Sequence, residues 1–175
     1  MTTSSRLLLA FAAVSATIFF FVHSRVQAAE KSMTSDQAQV VETVRAIFAA
    51  ARAEDFAKFH SVTTPDFYLF DGGIRFDGES IMQLTSQKHA EGKRYQWNVT
   101  EPDVHIYGSS AGNKTAWVAY VNQGSLTDSS GTVPKKWLES AFLEKKAEGW
   151  KIVFMHSTPV AATPLVGQTQ AGHNE

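Results

Sequence analysis

The strongest constraint on the fold is the segment 137–157, WLESAFLEKKAEGWKIVFMHS, in which apolar and polar residues alternate. Alternation with a period of two is typical of β-strands, and a short connection that contains glycine is typical of a hairpin. Here two alternating runs flank the connection Lys146-Ala147-Glu148-Gly149. Both faces are largely apolar, which favours a central sheet covered on both sides. The first strand carries Leu138, Ser140 and Phe142 on one face and Glu139, Ala141 and Leu143 on the other.

Three helices are predicted before this hairpin. The first begins after Thr34, because Thr34 and Gln37 have the spacing of a capping box. A second, shorter helix begins at Glu54-Asp55, and a third begins after the cap residue Asp77 and ends near Gly92. The first helix has one apolar stripe at helical spacing, formed by Val40, Val44, Ile47, Phe48 and Ala51.

The rest of the chain is predicted to be strand. Residues 67–76 form a small hairpin around Asp71-Gly72-Gly73, which is a strong turn signal. A long strand covers 95–107, with a bulge or bend at Pro102, because proline donates no hydrogen bond to a neighbouring strand. Another strand covers 114–126 and leads into the hairpin of segment 137–157.

This order of elements predicts the fold class. Helices that precede an antiparallel meander are typical of an α+β domain. We expect a cone-shaped, curved antiparallel sheet wrapped around the long N-terminal helix, with two shorter helices and a pocket at the open end. The domain is expected to span residues 33–160, and the polar segment 161–175 is expected to be a disordered tail.

The N-terminal residues 1–28 have the features of a signal peptide. Arg6 precedes the apolar run 7–22, and Val26-Gln27-Ala28 provides small residues for cleavage before Ala29. The apolar run is close to the length that spans a bilayer, so an uncleaved anchor is the alternative. In either case the domain is expected outside the cytoplasm, in the periplasm or secreted, with a membrane as partner only if the segment is uncleaved.

Composition excludes several functions. The chain has 175 residues, a formal net charge of −1 and no cysteine, so it has no basic footprint for nucleic acid and no disulfide or thiolate chemistry. His105 and His156 fall on separate strands, and no closely spaced histidine pair is present, so no metal site is expected. No phosphate-binding loop or nucleophile motif is found, and no cofactor is predicted.

Several segments together resemble a known superfamily. They are Glu101–Gly108, Ala116–Asn122, Glu139–Lys146, Gly149–Trp150 and His156–Ser157. With the helices and the Asp71-Gly72-Gly73 hairpin, they resemble the nuclear-transport-factor-2-like superfamily, also called SnoaL-like. The second half is most similar to the association domain of calcium/calmodulin-dependent protein kinase II. The resemblance covers roughly residues 35 to 160 and implies the fold better than any activity.

The resemblance also implies which side chains face the cone. It places Tyr120, Asn122, Glu139, Ala141, Met155 and Ser157 inside, and Trp117, Ile152, Phe154 and His156 on the outer, convex face. That outer face is commonly a dimer interface in the superfamily. The arginines that hold carboxylate ligands in the association domain align with Asn122, Ala141 and Ser157, so that mode of binding is not implied here.

Glu139 is the leading catalytic candidate. A carboxylate that faces an apolar cavity has a raised pKa and can act as a general base. The alternative is a solvated glutamate, or one that is paired with Lys135 or Lys136. Further candidates for acid–base chemistry are Asp66, at the start of the first strand, and His105.

Other side chains are candidates for contact with a ligand. Tyr68, Trp97 and Tyr120 could line an apolar pocket and offer a polar edge, or could be plain core residues. Asn122, Ala141, Met155 and Ser157 complete the expected ligand-binding set. Asp71 is assigned to the turn alone.

Taken together, the sequence predicts an exported α+β protein, dimeric through the convex sheet, that binds a small, largely apolar molecule in the cone. Two alternatives stay open. One is an isomerase, cyclase or dehydratase that uses a pocket carboxylate or histidine as base, and the other is an oligomerisation module. The residues do not decide whether the chain is an enzyme.

Overall fold

The computed structural model describes residues 33–108 and 113–161. The predicted leader 1–28 and the predicted tail, from residue 162 onward, lie outside the described residues. The described chain folds into three helices and one six-stranded sheet. None of the helices in these ranges is long and apolar enough to cross a membrane.

The helices begin at the cap residues that the sequence predicts. The Thr34 side chain accepts a hydrogen bond from the Gln37 amide, and the Gln37 side chain accepts one from the Thr34 amide. Asp55 and Asp77 cap the next two helices by accepting hydrogen bonds from amides three residues later. The helices are α1 (Ser35–Ala53), α2 (Phe56–Val62) and α3 (Gly78–Ala90).

The sheet has the strand order β2-β1-β6-β5-β4-β3. Its strands are β1 (Thr63–Asp71), β2 (Ile74–Asp77), β3 (Arg94–Tyr107), β4 (Thr115–Asp128), β5 (Gly131–Lys146) and β6 (Gly149–Pro159). All neighbours are antiparallel except β1 and β6, which run parallel. The α+β class and the meander are confirmed, and the parallel pair joins the small hairpin to the meander.

A bulge and a glycine shape the β3–β4 region. The pairing of β3 with β4 shifts between Thr100 and Asp103, and Glu101 has a φ of 53°. This bulge lies at Pro102, where the sequence predicts a bend. On β4, a Cβ atom at Gly124 would overlap the backbone of Gln96, so the close approach of the two strands requires glycine there. The curved sheet encloses α1 on its inner face.

A second bulge, on β6, changes which side chains face inward. Phe142 pairs with Phe154, whereas its neighbour Leu143 pairs with Ile152, so Val153 is the extra residue. Ile152 therefore lies on the inner side and is 0% exposed. The expected position of Ile152 on the outer face, beside Phe154, is wrong, because strict alternation fails across a bulge.

The outer face carries a row of aromatic side chains, which we call the outer aromatic row. Its members are paired across five neighbouring strands: Tyr68, Phe154, Phe142, Trp117 and His105. The ring centroids of Tyr68 and Phe154 are 4.9 Å apart, and those of His105 and Trp117 are 4.2 Å apart. The inner face instead shares one apolar core with α1, which includes Val44, Val118 and Leu143.

Candidate functional site

A cavity of about 470 Å³ lies between the inner face of the sheet and the helices. This volume falls in the usual range of small-molecule pockets in proteins, about 300–1,000 Å³. Its polar lining consists of Asp71, Thr85, Lys88, Lys135, Glu139 and Ser157. The remaining wall is almost entirely apolar or aromatic: Ile47, Phe48, Ala51, Phe59, Phe67, Leu69, Ile81, Leu84, Tyr95, Trp97, Leu126, Trp137, Met155 and Pro159.

Four polar side chains form a row across the inner face, which we call the inner polar row. Asp71 on β1 pairs with Ser157 on β6, Ser157 pairs with Glu139 on β5, and Glu139 pairs with Tyr120 on β4. Directly paired residues on one face of a sheet have neighbouring side chains. The register of four strands therefore brings two carboxyl groups, a hydroxyl and a phenol together.

Glu139 is buried, with 8% of its surface exposed. Its two carboxylate oxygens accept hydrogen bonds from the Ser157 hydroxyl and the Asn122 side-chain amide, each at 3.0 Å. The Asn122 side chain is itself held by the Asn98 backbone amide, which donates to its oxygen at 2.9 Å. Burial raises the pKa of Glu139, the contacts with Asn122, Ser157 and the Tyr120 hydroxyl oppose that shift, and the negative charge of Asp71 adds to it.

Neither lysine suggested as a partner for Glu139 is paired with it. Within the described residues, Glu139 forms no salt bridge, and Lys135 lies elsewhere along the cavity wall. The polar contacts of Glu139 are with neutral groups instead. A buried carboxyl group with such contacts has its protonation state set mainly by desolvation.

Asp71 belongs to the cavity as well as to the turn. It lines the cavity, and burial raises its pKa, while the Ser157 hydroxyl and the Gly72 amide lower it. Its assignment to turn chemistry alone is wrong. Phe67, Leu69 and Asp71 alternate on one face of β1, and all three line the cavity. This alternation is a signal in the sequence that the turn motif Asp71-Gly72-Gly73 conceals.

Tyr120 closes the row on β4 and is 3% exposed. Burial, and then the negative charge of Glu139, raise the pKa of its phenol well above the usual range. Its hydroxyl lies close enough to the Glu139 carboxylate to lower the pKa of that group, but among the described residues it has no partner at full hydrogen-bonding geometry. A buried hydroxyl without a partner is uncommon, because desolvation of a polar group is unfavourable unless a hydrogen bond replaces the lost water.

The part of the wall that β3 contributes is aromatic. Trp97 stacks on Tyr95 with ring centroids 5.4 Å apart and planes within 7°. Phe48 of α1 packs on Trp97 at 5.7 Å. Lys88, from α3, also lines the cavity, and its ammonium lies 3.0 Å from a carboxylate oxygen of Glu91. The cavity is therefore acidic in the inner polar row and largely apolar, with an aromatic wall on β3, elsewhere.

The predicted site residues fall into three groups, and two of these groups lie on the inner face. Trp97, Glu139, Met155 and Ser157 line the cavity. Three others lie near them on the inner face: Tyr120 and Asn122 contribute to the polar end, and Ala141 is a buried core residue.

The structure places three predicted site residues away from the cavity. Asp66 is exposed and interacts electrostatically with Lys146. His105 lies on the outer face, where it stacks on Trp117 and its Nε2 atom is 2.9 Å from Asp103. Tyr68 also points outward, under the guanidinium of Arg75. Pocket roles for these three side chains are corrections to the sequence prediction, because each points away from α1.

The arrangement can perform two kinds of chemistry. A carboxyl group whose pKa is raised is a stronger base than an ordinary carboxylate and can accept a proton from a ligand atom within hydrogen-bonding distance. The same carboxyl groups can instead hold a hydrogen-bond donor of a bound molecule. In the part of the chain that the structure describes, no group of three histidine, aspartate or glutamate side chains could hold a metal ion.

Comparison with solved structures supports the fold. The association domain of C. elegans CaMKII superposes with a TM-score of 0.56 at 23% identity, covering 71% of this chain and 98% of that one. The CaMKII hub homology domain of Chlamydomonas reinhardtii gives 0.59 at 22% identity, covering 71% and 98%. A Streptomyces avermitilis protein of the NTF2-like family, proposed to be a dehydratase, gives 0.57 at 20% identity, covering 73% and 98%.

At these identities the likeness establishes the fold alone. A comparison with curated proteins finds no match. The family model of the SnoaL-like domain, however, matches residues 40–162, which is most of the chain and includes the entire inner polar row. The chain belongs to the SnoaL-like domain family.

Proposed function

We propose that this chain binds a small, largely apolar molecule in the cavity, with a polar group of that molecule against the inner polar row. The observation that carries this proposal is the buried Glu139 at the side of a largely apolar cavity of about 470 Å³. An apolar wall with a few convergent polar groups is the usual composition of a ligand site. The aromatic surfaces of Tyr95 and Trp97 provide the apolar contact.

A cavity-filling variant tests this proposal. N-phenyl-1-naphthylamine is neutral, and its fluorescence rises in apolar surroundings. We expect it to bind the parent and Ala53→Trp, but not Ala51→Trp, because Ala51 lines the cavity whereas Ala53, on the same helix, is exposed. Circular dichroism checks that both variants fold. Equal fluorescence with the two variants would place the dye elsewhere and contradict the proposal.

A second candidate function is proton transfer on the bound molecule, as in an isomerase or dehydratase. The raised pKa of Glu139 favours this function, and Asp71 and Ser157 lie beside Glu139 in the inner polar row. In this role Glu139 takes a proton from a carbon or oxygen of the substrate, and Ser157 and Asn122 hold the carboxylate in place.

Hydrogen exchange distinguishes this enzyme from a simple binding protein. The compound that copurifies with the protein is identified by native mass spectrometry and incubated with the protein in D₂O. We expect the parent to exchange a C–H hydrogen for deuterium and Glu139→Gln to bind the compound without exchange. Binding by both without exchange in either would exclude proton abstraction from carbon.

A third proposal is self-association through the outer face of the sheet. Phe70, Leu138 and Phe142 are exposed there by 40%, 53% and 36%, beside the outer aromatic row. The solved neighbours described as association or hub domains agree with such a role. In light scattering, Phe142→Glu should produce monomers, whereas Ile74→Glu, at an exposed apolar residue on β2, should not. A monomeric parent would contradict this proposal.

Export is also a proposal, and the segment 1–28 alone supports it. Mass spectrometry of the protein from cell fractions should find a mature chain that begins at Ala29, outside the cytoplasm. A protein in the membrane fraction that still begins at Met1 would support the anchor alternative instead.

A further inference from the structure

We propose that the polar group of the bound molecule is a protonated amine, held by the carboxylates of Asp71 and Glu139. This inference rests on the proposed function, that is, on binding of a small molecule in the cavity. It adds the chemical class of the ligand and assigns a ligand contact to Asp71. Two observations carry it: the balance of charge around the polar row, and the balance of hydrogen-bond donors and acceptors.

The charged groups that face the cavity leave its acidic side without a cation. Asp71 on β1 and Glu139 on β5 are both paired with Ser157, on the strand β6 that lies between them. Two lysines line the wall. Lys88 is paired with Glu91, and Lys135 pairs with Gly124, four residues along the strands from the pair of Glu139 and Tyr120. Within the described residues, neither carboxylate forms a salt bridge. His156 acts on Asp71 electrostatically, but its side chain is on the outer face.

The count of hydrogen bonds points the same way. Two ionised carboxylates present about eight acceptor sites. The protein provides at most four donors to them: the Ser157 hydroxyl, the Asn122 side-chain amide, the Gly72 backbone amide and the Tyr120 hydroxyl, whose contact with Glu139 lacks full hydrogen-bond geometry. Ser157 has a single hydroxyl proton, so it donates to only one of the two carboxylates at a time. The inner polar row therefore has more hydrogen-bond acceptors than the protein's own donors can satisfy.

Tyr120 provides an independent sign that the polar end is incomplete. Its hydroxyl is fully buried on the inner face, and its contact with Glu139 falls short of full hydrogen-bond geometry, so among the described residues it has no complete hydrogen bond. An ammonium group carries three donors and no acceptor. It can therefore donate to both carboxylates, and its positive charge offsets the charge whose burial is unfavourable. An alcohol has one donor, and a carboxylate ligand would add a third negative charge.

A matched set of three compounds tests the inference. The compounds are 2-(1-naphthyl)ethylamine, 2-(1-naphthyl)ethanol and 1-naphthylacetate, which share one apolar body and differ in the polar group. Isothermal titration calorimetry at pH 7.5 measures their binding to the full protein. We expect the amine to bind about tenfold more tightly than the alcohol or better, because hydrogen bonds to charged groups are the stronger class. The carboxylate should bind least.

Variants test whether the two carboxylates cause the preference for the amine. Asp71→Asn and Glu139→Gln should each reduce the affinity for the amine by about tenfold and change the affinity for the alcohol little. Asp66→Asn, which removes an exposed carboxylate outside the cavity, is the matched control and should leave all three affinities unchanged. If a cavity variant does not fold, the parent provides a second measurement. Its affinity for the amine should fall between pH 7.5 and pH 4.5, as Asp71 and Glu139 take up protons, while its affinity for the alcohol stays constant.

The results separate this inference from the proposed function. If the alcohol binds the parent as tightly as the amine, or if the amine's advantage survives in both variants, the inference is wrong and the cavity still binds small molecules. If none of the three compounds binds and N-phenyl-1-naphthylamine does not bind either, the proposed function fails and the inference fails with it.

Discussion

The inner polar row and the outer aromatic row occupy opposite faces of the same strands. On β1 the two rows are three residues apart, at Asp71 and Tyr68. Inside, polar groups are buried and depend on one another for hydrogen bonds, so each change of charge affects its neighbours. Outside, the rings are partly exposed and meet water at their edges. The effect of replacing a side chain therefore depends more on which face of the sheet it occupies than on its residue type.

The largest effect should come from the pair Ile152 and Phe154, which a bulge places on opposite faces. Ile152→Ala removes a fully buried side chain and should lower the free energy of unfolding by about 2–5 kcal/mol. Phe154→Ala, at a half-buried position, should lower it by roughly half as much or less, despite the larger side chain. Urea denaturation at a concentration where the protein is monomeric measures both. Equal losses of unfolding free energy would contradict the difference in burial that the structure gives the two faces.

The second-largest effect should be on the pH dependence of stability, to which the inner polar row contributes. Because burial raises the pKa of Glu139, the unfolded chain ionises first as the pH rises above about 4.3, and the folded state loses stability until its own carboxyl ionises. Glu139→Gln lacks this loss. Its stability relative to the parent should therefore rise between pH 4 and pH 8, by about 1.4 kcal/mol for each unit by which the pKa is raised.

Asp66 provides the control for that experiment. It is a carboxylate on the same sheet, but it is exposed. Thermal or urea melts of Asp66→Asn across pH 4 to 8 should run parallel to those of the parent. A Glu139→Gln curve that also stays parallel to the parent would remove the basis for a proton-transfer role of Glu139.

The smallest effect should come from the end of the outer aromatic row. The guanidinium carbon of Arg75 lies 4.4 Å from the centre of the Tyr68 ring. Arg75→Met keeps the aliphatic stem and should lower the free energy of unfolding by about 0.5–1 kcal/mol. In a Tyr68→Leu background the same substitution should have little effect, because the ring is gone. A full effect in that background would assign the stabilisation to something other than the ring.

The sequence predicts the framework of this fold well, because the signals are local. The cap residues Thr34, Asp55 and Asp77 start the three helices, and the bulge at Pro102 lies where proline interrupts β3. Glu139 is placed inside because no bulge separates it from the apolar residues Ala141 and Leu143. Residue propensity and alternation are sufficient to predict which side chains face inward wherever a strand runs without a bulge.

The wrong predictions have a common physical cause, because strict alternation of residues does not reveal bulges or pairing between distant strands. The sequence makes His105 a pocket candidate, but the bulge at Pro102 shifts the alternation of β3 by one residue, so Val99 and Val104 both point inward and His105 points outward. The sequence assigns Asp71 to its turn, because the glycines that follow it dominate the local signal. Its second role depends on the parallel pairing of β1 with β6, which joins segments more than eighty residues apart.

The extra residue Val153 on β6 has a consequence for how the length of this strand can change. Ile152 faces inward and Phe154 faces outward although they are two positions apart, so deleting Val153 would restore simple alternation and leave all later residues on their present sides. Ser157 would stay beside Glu139, and His156 would stay outside. A deletion of three nucleotides would thus shorten the strand without changing the polar groups of the pocket, so the bulge lets β6 gain or lose one residue while the inner polar row keeps its composition.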